Sequence, residues 1–132
     1  MTKPAAAMQA RTILLIEDEP SVSAFIRATL ERRGYSVVLS PSGAEGVREL
    51  CAQSFAGVIS DIRMPGSMNG AELHQWIRQN RPNLAAHVLL ISGDTANSDT
   101  QAFLEKTGTP CIEKPFRVEQ LVSAVEKIMG KP

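Results

Sequence analysis

Five short apolar runs alternate along the chain with segments of helical periodicity, and this alternation limits the possible folds more than any other feature. The runs occupy residues 13–16, 37–39, 58–59, 88–91 and 111–112. Each run is continuously apolar, which is typical of strands covered on both faces in a parallel sheet. Their short lengths and their β-branched residues favour strands over buried helices.

The intervening segments carry apolar residues at spacings of three and four. Pro20 suits a first helical position, Gly34 suits a helix end and Ser42 suits an N-cap. Further helices are predicted around residues 73–77, at about 98–106 and over 118–129. Five β-α units with short connections predict an α/β fold with a doubly wound, five-stranded parallel sheet and five helices. Residues 1–10 are expected to form a flexible tail before a single domain over 11–130.

Composition narrows the classes of protein that the chain can belong to. A length of 132 residues with 43% hydrophobic content fits one domain. Fourteen basic and fourteen acidic residues give zero net charge, so neither nucleic acid nor a membrane is an expected partner. Two cysteines and two histidines show no zinc spacing. We expect a cytoplasmic protein whose histidines are not metal ligands.

Polar residues follow four of the five predicted strands. Glu17, Asp18 and Glu19 follow the first strand, Asp61 ends the third, Ser92 ends the fourth and Lys114 follows the fifth. In a doubly wound sheet, ligands bind beyond the carboxyl ends of the strands, where the strand order reverses. The sequence therefore predicts a carboxylate-rich crevice that contains one lysine and one hydroxyl.

This set of side chains suits the transfer of a phosphoryl group. Glu17, Asp18 and Asp61 cannot all remain ionised at close range without compensation, and a site of oxygen ligands favours Mg²⁺ as the compensating cation. Lys114 could bind a phosphate oxygen or Asp61 itself, and Ser92 could donate a hydrogen bond to the same group. A carboxylate nucleophile beside a cation and a lysine is suited to phosphoryl transfer.

The segments that carry these residues resemble the receiver domain of bacterial response regulators. The resemblance covers about residues 12–130 and rests on four segments, 13–20, 58–66, 88–93 and 114–116. It implies a sheet of flavodoxin-like strand order 2-1-3-4-5. It implies that Asp61 accepts a phosphoryl group from a phosphohistidine on a histidine kinase or phosphotransfer protein. It also implies that Glu17, Asp18, Asp61 and the main-chain carbonyl of Arg63 hold Mg²⁺.

The same resemblance implies roles for the remaining crevice residues. Ser92 matches the switch hydroxyl and Lys114 the phosphate-binding lysine, with a cis peptide before Pro115. The sequence departs from the common pattern at three places. Glu17 replaces an aspartate, the turn over 64–70 is one residue longer, and Cys111 stands where many members carry a switch tyrosine or phenylalanine.

Such a protein is expected to catalyse no reaction on a separate substrate, only its own phosphorylation and dephosphorylation. The chain is expected to carry no output domain, so phosphorylation would change a binding surface for an unknown target protein, or the chain would act as a phosphate sink or relay. The main alternative is a pseudo-receiver, an interaction module that works without phosphorylation. A flavodoxin-type cofactor binder and a dehalogenase-type phosphatase fit the sequence after the first strand poorly.

Several polar residues have simpler interpretations. Glu19 is expected to be an acidic residue in the first turn of a helix, favoured by the helix dipole. Cys51 is expected to lie in the core, on the apolar stripe of the second helix. Arg63 and Asp94 are either unpaired surface charges or, as we hypothesise, an ion pair across the mouth of the crevice.

Overall fold

The computed structural model describes residues 11–63 and 68–132. The expected tail, residues 1–10, and positions 64–67 of the long turn lie outside the described residues. Within them, the chain alternates strands and helices as predicted. The strands are β1 (Thr12–Ile16), β2 (Ser36–Ser40), β3 (Gly57–Asp61), β4 (Val88–Ser92) and β5 (Cys111–Glu113). The α-helices are α1 (Pro20–Arg32), α2 (Gly43–Ala52), α3 (Gly70–Asn80), α4 (Ser98–Thr107) and α5 (Val118–Met129), with a 3₁₀ turn at Ala85–His87.

The five strands form one parallel sheet in the order β2-β1-β3-β4-β5. This arrangement confirms the doubly wound fold of flavodoxin-like order with five helices. The strand order reverses between β1 and β3, and both strands end at the edge of the sheet that carries the acidic residues. The predicted crevice therefore lies at the switch point, where ligands bind in folds of this kind.

Alternate residues of each central strand pack into two separate hydrophobic layers. On β1, Ile13 and Leu15 face a cluster that contains residues of α1 and α5, whereas Leu14 and Ile16 face a cluster with residues of α2 and α3. All four of these side chains are fully buried. Coverage of both faces explains why the strands appear as uninterrupted apolar runs in the sequence.

Local signals set several helix boundaries. Pro20 is the first residue of α1, and Gly34, with φ of 102°, adopts a left-handed conformation just beyond its end. The Ser42 side chain accepts a hydrogen bond from the Glu45 N–H at 3.2 Å and caps α2 as expected. No helix in the described ranges has the length and apolar character needed to cross a membrane.

The expectation that Cys51 lies in the core is wrong, because its side chain is exposed. Leu50 carries the buried face of α2, and the next residue on a helix is rotated by about 100° from it. The two histidines have hydrogen-bond partners, as predicted for satisfied side chains. Nε2 of buried His74 lies 3.1 Å from the Thr109 hydroxyl, and Nδ1 of His87 lies 2.7 Å from a backbone carbonyl.

Candidate functional site

Asp61 lies at the centre of the crevice, as the last residue of β3, and only 6% of it is exposed. Its Oδ1 accepts a hydrogen bond from the Arg63 backbone N–H at 2.9 Å. Its Oδ2 accepts one from the Lys114 ammonium at 2.5 Å. These two contacts fix the orientation of the Asp61 carboxylate at the carboxyl end of β3.

Two further carboxylates follow the neighbouring strand β1. Glu17 is buried, with 2% exposure, and Asp18 is exposed. Burial raises the pKa of Glu17, although a hydrogen bond from the Glu19 N–H to its Oε2 at 3.1 Å opposes this effect. One carboxylate oxygen from each of Glu17, Asp18 and Asp61 lies within 4.8 Å of the others. The structure thus brings together the three carboxylates that the sequence assigned to a metal.

The donor atoms of this cluster fit a small divalent cation. Glu17 Oε1 is buried and has no hydrogen-bond partner within the described part of the chain. The Lys114 ammonium lies 3.1 Å from this oxygen and forms an ion pair with it. The orientation of the ammonium relative to the oxygen does not meet the geometry of a hydrogen bond. An all-oxygen cluster with an unsatisfied buried acceptor suits Mg²⁺. The role of the Arg63 carbonyl as a further ligand stays a prediction.

Lys114 connects the carboxylates of the crevice. Its Nζ lies 2.5 Å from Asp61, 3.1 Å from Glu17 and 3.4 Å from Glu19. Burial alone would lower the pKa of Lys114, but the hydrogen bond that its ammonium donates to Asp61 and the charge attraction of Asp61 and Glu17 outweigh burial and raise the pKa. The lysine is therefore a permanent cation at neutral pH. The predicted cis peptide between Lys114 and Pro115 is present.

Ser92 ends β4 on the strand adjacent to Asp61, and it is 2% exposed. Its Oγ accepts a hydrogen bond from the Asp94 backbone N–H at 3.0 Å. Because this bond uses a lone pair of the oxygen, the hydroxyl keeps its own proton for donation. That property is the one required of a group that would bind a phosphoryl oxygen.

Arg63 and Asp94 form the ion pair that was hypothesised from the sequence. Arg63 Nη2 lies 3.4 Å from Asp94 Oδ2, and the two side chains are 67% and 48% exposed. The pair joins the segment after β3 to the loop after β4. Arg63 and Asp94 are therefore not unpaired surface charges.

Glu19 is the residue at this site that sequence reasoning misjudged. It precedes α1 rather than lying in its first turn, and its side chain makes no capping hydrogen bond. Its carboxylate instead contacts Lys114. Asp18, between Glu17 and Glu19, forms a bend beyond the end of β1, so the alternation of a strand does not place the Glu19 side chain. No spacing in the sequence indicated the contact between Glu19 and Lys114.

Gly70, another residue that the sequence did not single out, allows α3 to approach the end of β3. A Cβ atom at this position would lie 2.6 Å from the Asp61 carbonyl oxygen and 2.7 Å from Ile62 Cα. Both neighbours are backbone atoms that cannot rotate away. The close approach also allows the Gly70 N–H to donate to the Ile62 carbonyl at 2.8 Å.

Cys111, in the position where many receiver domains carry an aromatic residue, lies partly buried on β5. Burial, followed by the negative charges of Asp61 and Glu113, raises the pKa of its thiol to about 11. The thiol is therefore protonated and poorly nucleophilic at neutral pH. It behaves as a small packing residue beside the crevice.

The sequence and the structure both match one known family. The profile of the response regulator receiver domain matches residues 13–126, and the chain belongs to this family. It is 27% identical over 119 residues to the response regulator ArlR of Staphylococcus saprophyticus, covering 90% of this chain and 52% of that protein. The chain thus spans about half the length of this curated relative.

Solved structures agree with this assignment. The signal receiver domain of a histidine kinase from Syntrophus aciditrophicus superposes with a TM-score of 0.81 at 29% identity, covering 91% of this chain and 90% of that one. The receiver domain of a sensor histidine kinase from Pseudomonas aeruginosa, solved with a magnesium ion coordinated in its active-site cleft, gives a TM-score of 0.80 at 25% identity. Coverage for that pair is 92% of this chain and 99% of the other.

Proposed function

We propose that this chain is a phosphoacceptor in a two-component phosphorelay and that Asp61 accepts the phosphoryl group. The observation that carries the proposal is the contact between the Lys114 ammonium and the Asp61 carboxylate at 2.5 Å, beside the acidic cluster. A receiver fold that served only as a binding surface would have no need for a half-buried lysine among carboxylates at the sheet's switch point.

Each described side chain has a definite part in the proposed transfer. Asp61 Oδ attacks the phosphorus of a phosphohistidine, a P–O bond forms as the P–N bond breaks, and the imidazole leaves with the electron pair. Lys114 shifts from a carboxylate oxygen to a phosphoryl oxygen, and the Ser92 hydroxyl donates to another. Glu17, Asp18 and Asp61 would hold Mg²⁺, which when bound neutralises part of the charge on the transferring group.

The chain would catalyse no reaction on a separate substrate beyond this self-phosphorylation and the later hydrolysis of the acyl phosphate. Its donor would be a histidine kinase or phosphotransfer protein, and its location cytoplasmic. An apolar groove suited to a protein donor adjoins the site. It has a volume of about 410 Å³ and is lined by Ser21, Val22, Phe25, Lys114, Pro115 and Phe116. Because Lys114 contributes to both, a helix seated in the groove would lie next to the phosphoacceptor.

Phosphorylation with a small donor tests the proposal directly. Acetyl phosphate with Mg²⁺ should add one phosphoryl group to the wild-type chain, detected by intact mass. Asp61→Asn keeps the size of the side chain but removes the nucleophile, so it should add none. A mutant that still gains a phosphoryl group would refute the assignment of Asp61.

The same assay separates the proposal from its alternative, a pseudo-receiver that signals without phosphorylation. A wild-type chain that is folded, binds Mg²⁺ and still gains no phosphoryl group would favour the pseudo-receiver. The clustering of Glu17, Asp18 and Asp61 around an unsatisfied buried oxygen favours the phosphoacceptor.

A further inference from the structure

The ammonium of Lys114 lies among three carboxylates that differ in their surroundings. Glu17 and Asp61 are buried, whereas the Glu19 side chain is 60% exposed and makes the longest of the three contacts, at 3.4 Å. Glu17 and Asp61 also belong to the cluster that fits a cation, and Glu19 does not. Glu19 therefore holds the lysine from the solvent side of the crevice.

The contact between Glu19 and Lys114 competes with the binding of a phosphoryl group by Lys114. Lys114 can bind an incoming phosphoryl oxygen only if it gives up part of its interaction with a carboxylate. The exposed Glu19 contact is the weakest of the three, because exposed ion pairs contribute little in water. The Glu19 carboxylate also adds a negative charge at the mouth through which an anionic donor must pass.

We propose that Glu19 is a specificity-determining residue that slows phosphorylation by small anionic phosphodonors, through competition for Lys114 and charge repulsion at the mouth. This inference rests on the proposed function of Asp61. A protein donor can offset the penalty with contacts in the groove formed by Val22, Phe25 and Phe116. Acetyl phosphate makes no such contacts, so nothing offsets the competition for Lys114 or the charge repulsion from Glu19.

The chemical step is the same with either donor. With acetyl phosphate, a P–O bond forms to Asp61 Oδ, the P–O bond to the acetyl oxygen breaks, and acetate leaves with the electron pair. Glu19 contributes no atom to this exchange. It changes only how readily the donor reaches Lys114.

The test compares second-order rate constants of phosphorylation for wild type, Glu19→Gln and Glu19→Lys. Acetyl phosphate, a dianion, and phosphoramidate, which carries less net negative charge, serve as donors. At low ionic strength we expect Glu19→Gln to react with acetyl phosphate about threefold faster or more, and Glu19→Lys faster still. The gain should be smaller with phosphoramidate, and it should shrink at an ionic strength of about 1 M, where the Debye length is about 3 Å.

The matched control is Glu105→Gln, which removes an exposed carboxylate near the far end of α4 and should react at the wild-type rate. Equal melting temperatures for all variants establish that the rates compare folded proteins. If wild type is phosphorylated and Glu19→Gln reacts no faster, or if its gain is unaffected by salt, the inference fails while the proposed function stands. If neither wild type nor Glu19→Gln gains a phosphoryl group from either donor, the proposed function itself fails.

Discussion

Two sets of charged residues at the crevice differ in how firmly the fold holds them. Glu17 and Asp61 are buried at strand ends, so the sheet fixes their positions. The side chains of Glu19, Arg63 and Asp94 are 48–67% exposed. Interactions of exposed charges contribute little to stability and rearrange at low cost. We therefore expect the buried group to determine whether the reaction occurs, and the exposed group to tune its rates.

The ion pair between Arg63 and Asp94 provides a test of this division. The paired side chains lie two residues beyond Asp61 and Ser92, so we expect them to overhang the crevice and to hinder the water that attacks phosphorylated Asp61 in line. Arg63→Ala and Asp94→Ala should each speed the decay of the phosphoprotein severalfold. Melting temperatures should barely change, because an exposed pair of this kind contributes only ~0.2–1 kcal/mol.

The double mutant of Arg63 and Asp94 distinguishes a bridge from two independent effects. If the pair acts as one unit, the double mutant should decay no faster than the faster single mutant. Decay is followed by the loss of phosphoprotein after the donor is removed. Three rates equal to that of wild type would show that the pair does not shield the acyl phosphate.

Position relative to the strand ends explains which site residues could be predicted. Asp61, Ser92 and Lys114 lie at or just beyond the ends of apolar runs, so the parallel sheet brings them together whatever the details of packing. Glu19 and Cys51 were misjudged because their surroundings depend on side-chain direction near or within a helix. The spacing of the apolar residues in α2 does not by itself indicate that Cys51 points away from the core.

At the scale of elements, the loop between β4 and α4 is connected to both neighbouring strand ends. Asp94 pairs with Arg63 after β3, and the Thr95 hydroxyl donates to Glu113 of β5 at 2.9 Å. Ser92, the last residue of β4, precedes this loop, and its hydroxyl accepts a hydrogen bond from the Asp94 N–H within the loop. A shift of the Ser92 hydroxyl toward a phosphoryl group would therefore move contacts on two sides of the loop.

We expect phosphorylation to change the surface formed by α4, β5 and α5 chiefly through Ser92. Amide chemical-shift changes on addition of a beryllofluoride phosphate mimic should shrink in Ser92→Ala, which has lost the hydroxyl. They should persist in Cys111→Ala, because the cysteine provides no aromatic ring to reorient. The opposite pattern would assign the switch to the β5 position instead.

A second element-scale prediction concerns the groove between α1 and the segment after β5. Phe25 is 40% exposed and its ring centroid lies 6.0 Å from that of Phe116. Phe25→Ser should reduce the rate of transfer from a phosphorylated histidine-kinase donor at least severalfold. Its rate with acetyl phosphate should stay at the wild-type level, because that donor does not use the groove.

Leu39 offers a matched control, since it is 39% exposed but lies on β2, at the opposite edge of the sheet from β5. Leu39→Ser should leave both rates unchanged. Equal loss of transfer in the Phe25 and Leu39 variants would mean that general destabilisation, not docking, explains the effect. Loss with both donors in Phe25→Ser alone would place Phe25 in the reaction rather than in docking.

For the whole molecule, the crevice is a place where function opposes stability. The fold brings Glu17, Asp18 and Asp61 together, and like charges at short range disfavour the folded state unless a cation compensates. Lys114 supplies one positive charge for the cluster. Removal of one carboxylate should therefore leave the metal-free protein at least as stable as wild type, while it weakens cation binding.

Asp18 is the best position for this test, because it is exposed and its replacement leaves no cavity in the core. In the absence of metal, Asp18→Ala should melt at or above the wild-type temperature. A ligand that binds only the folded state stabilises it by about 2.7 kcal/mol at 100 times its dissociation constant. Mg²⁺ should therefore raise the melting temperature of wild type and of the control Glu105→Ala, but not of Asp18→Ala. An equal rise in all three proteins would place the cation outside this cluster.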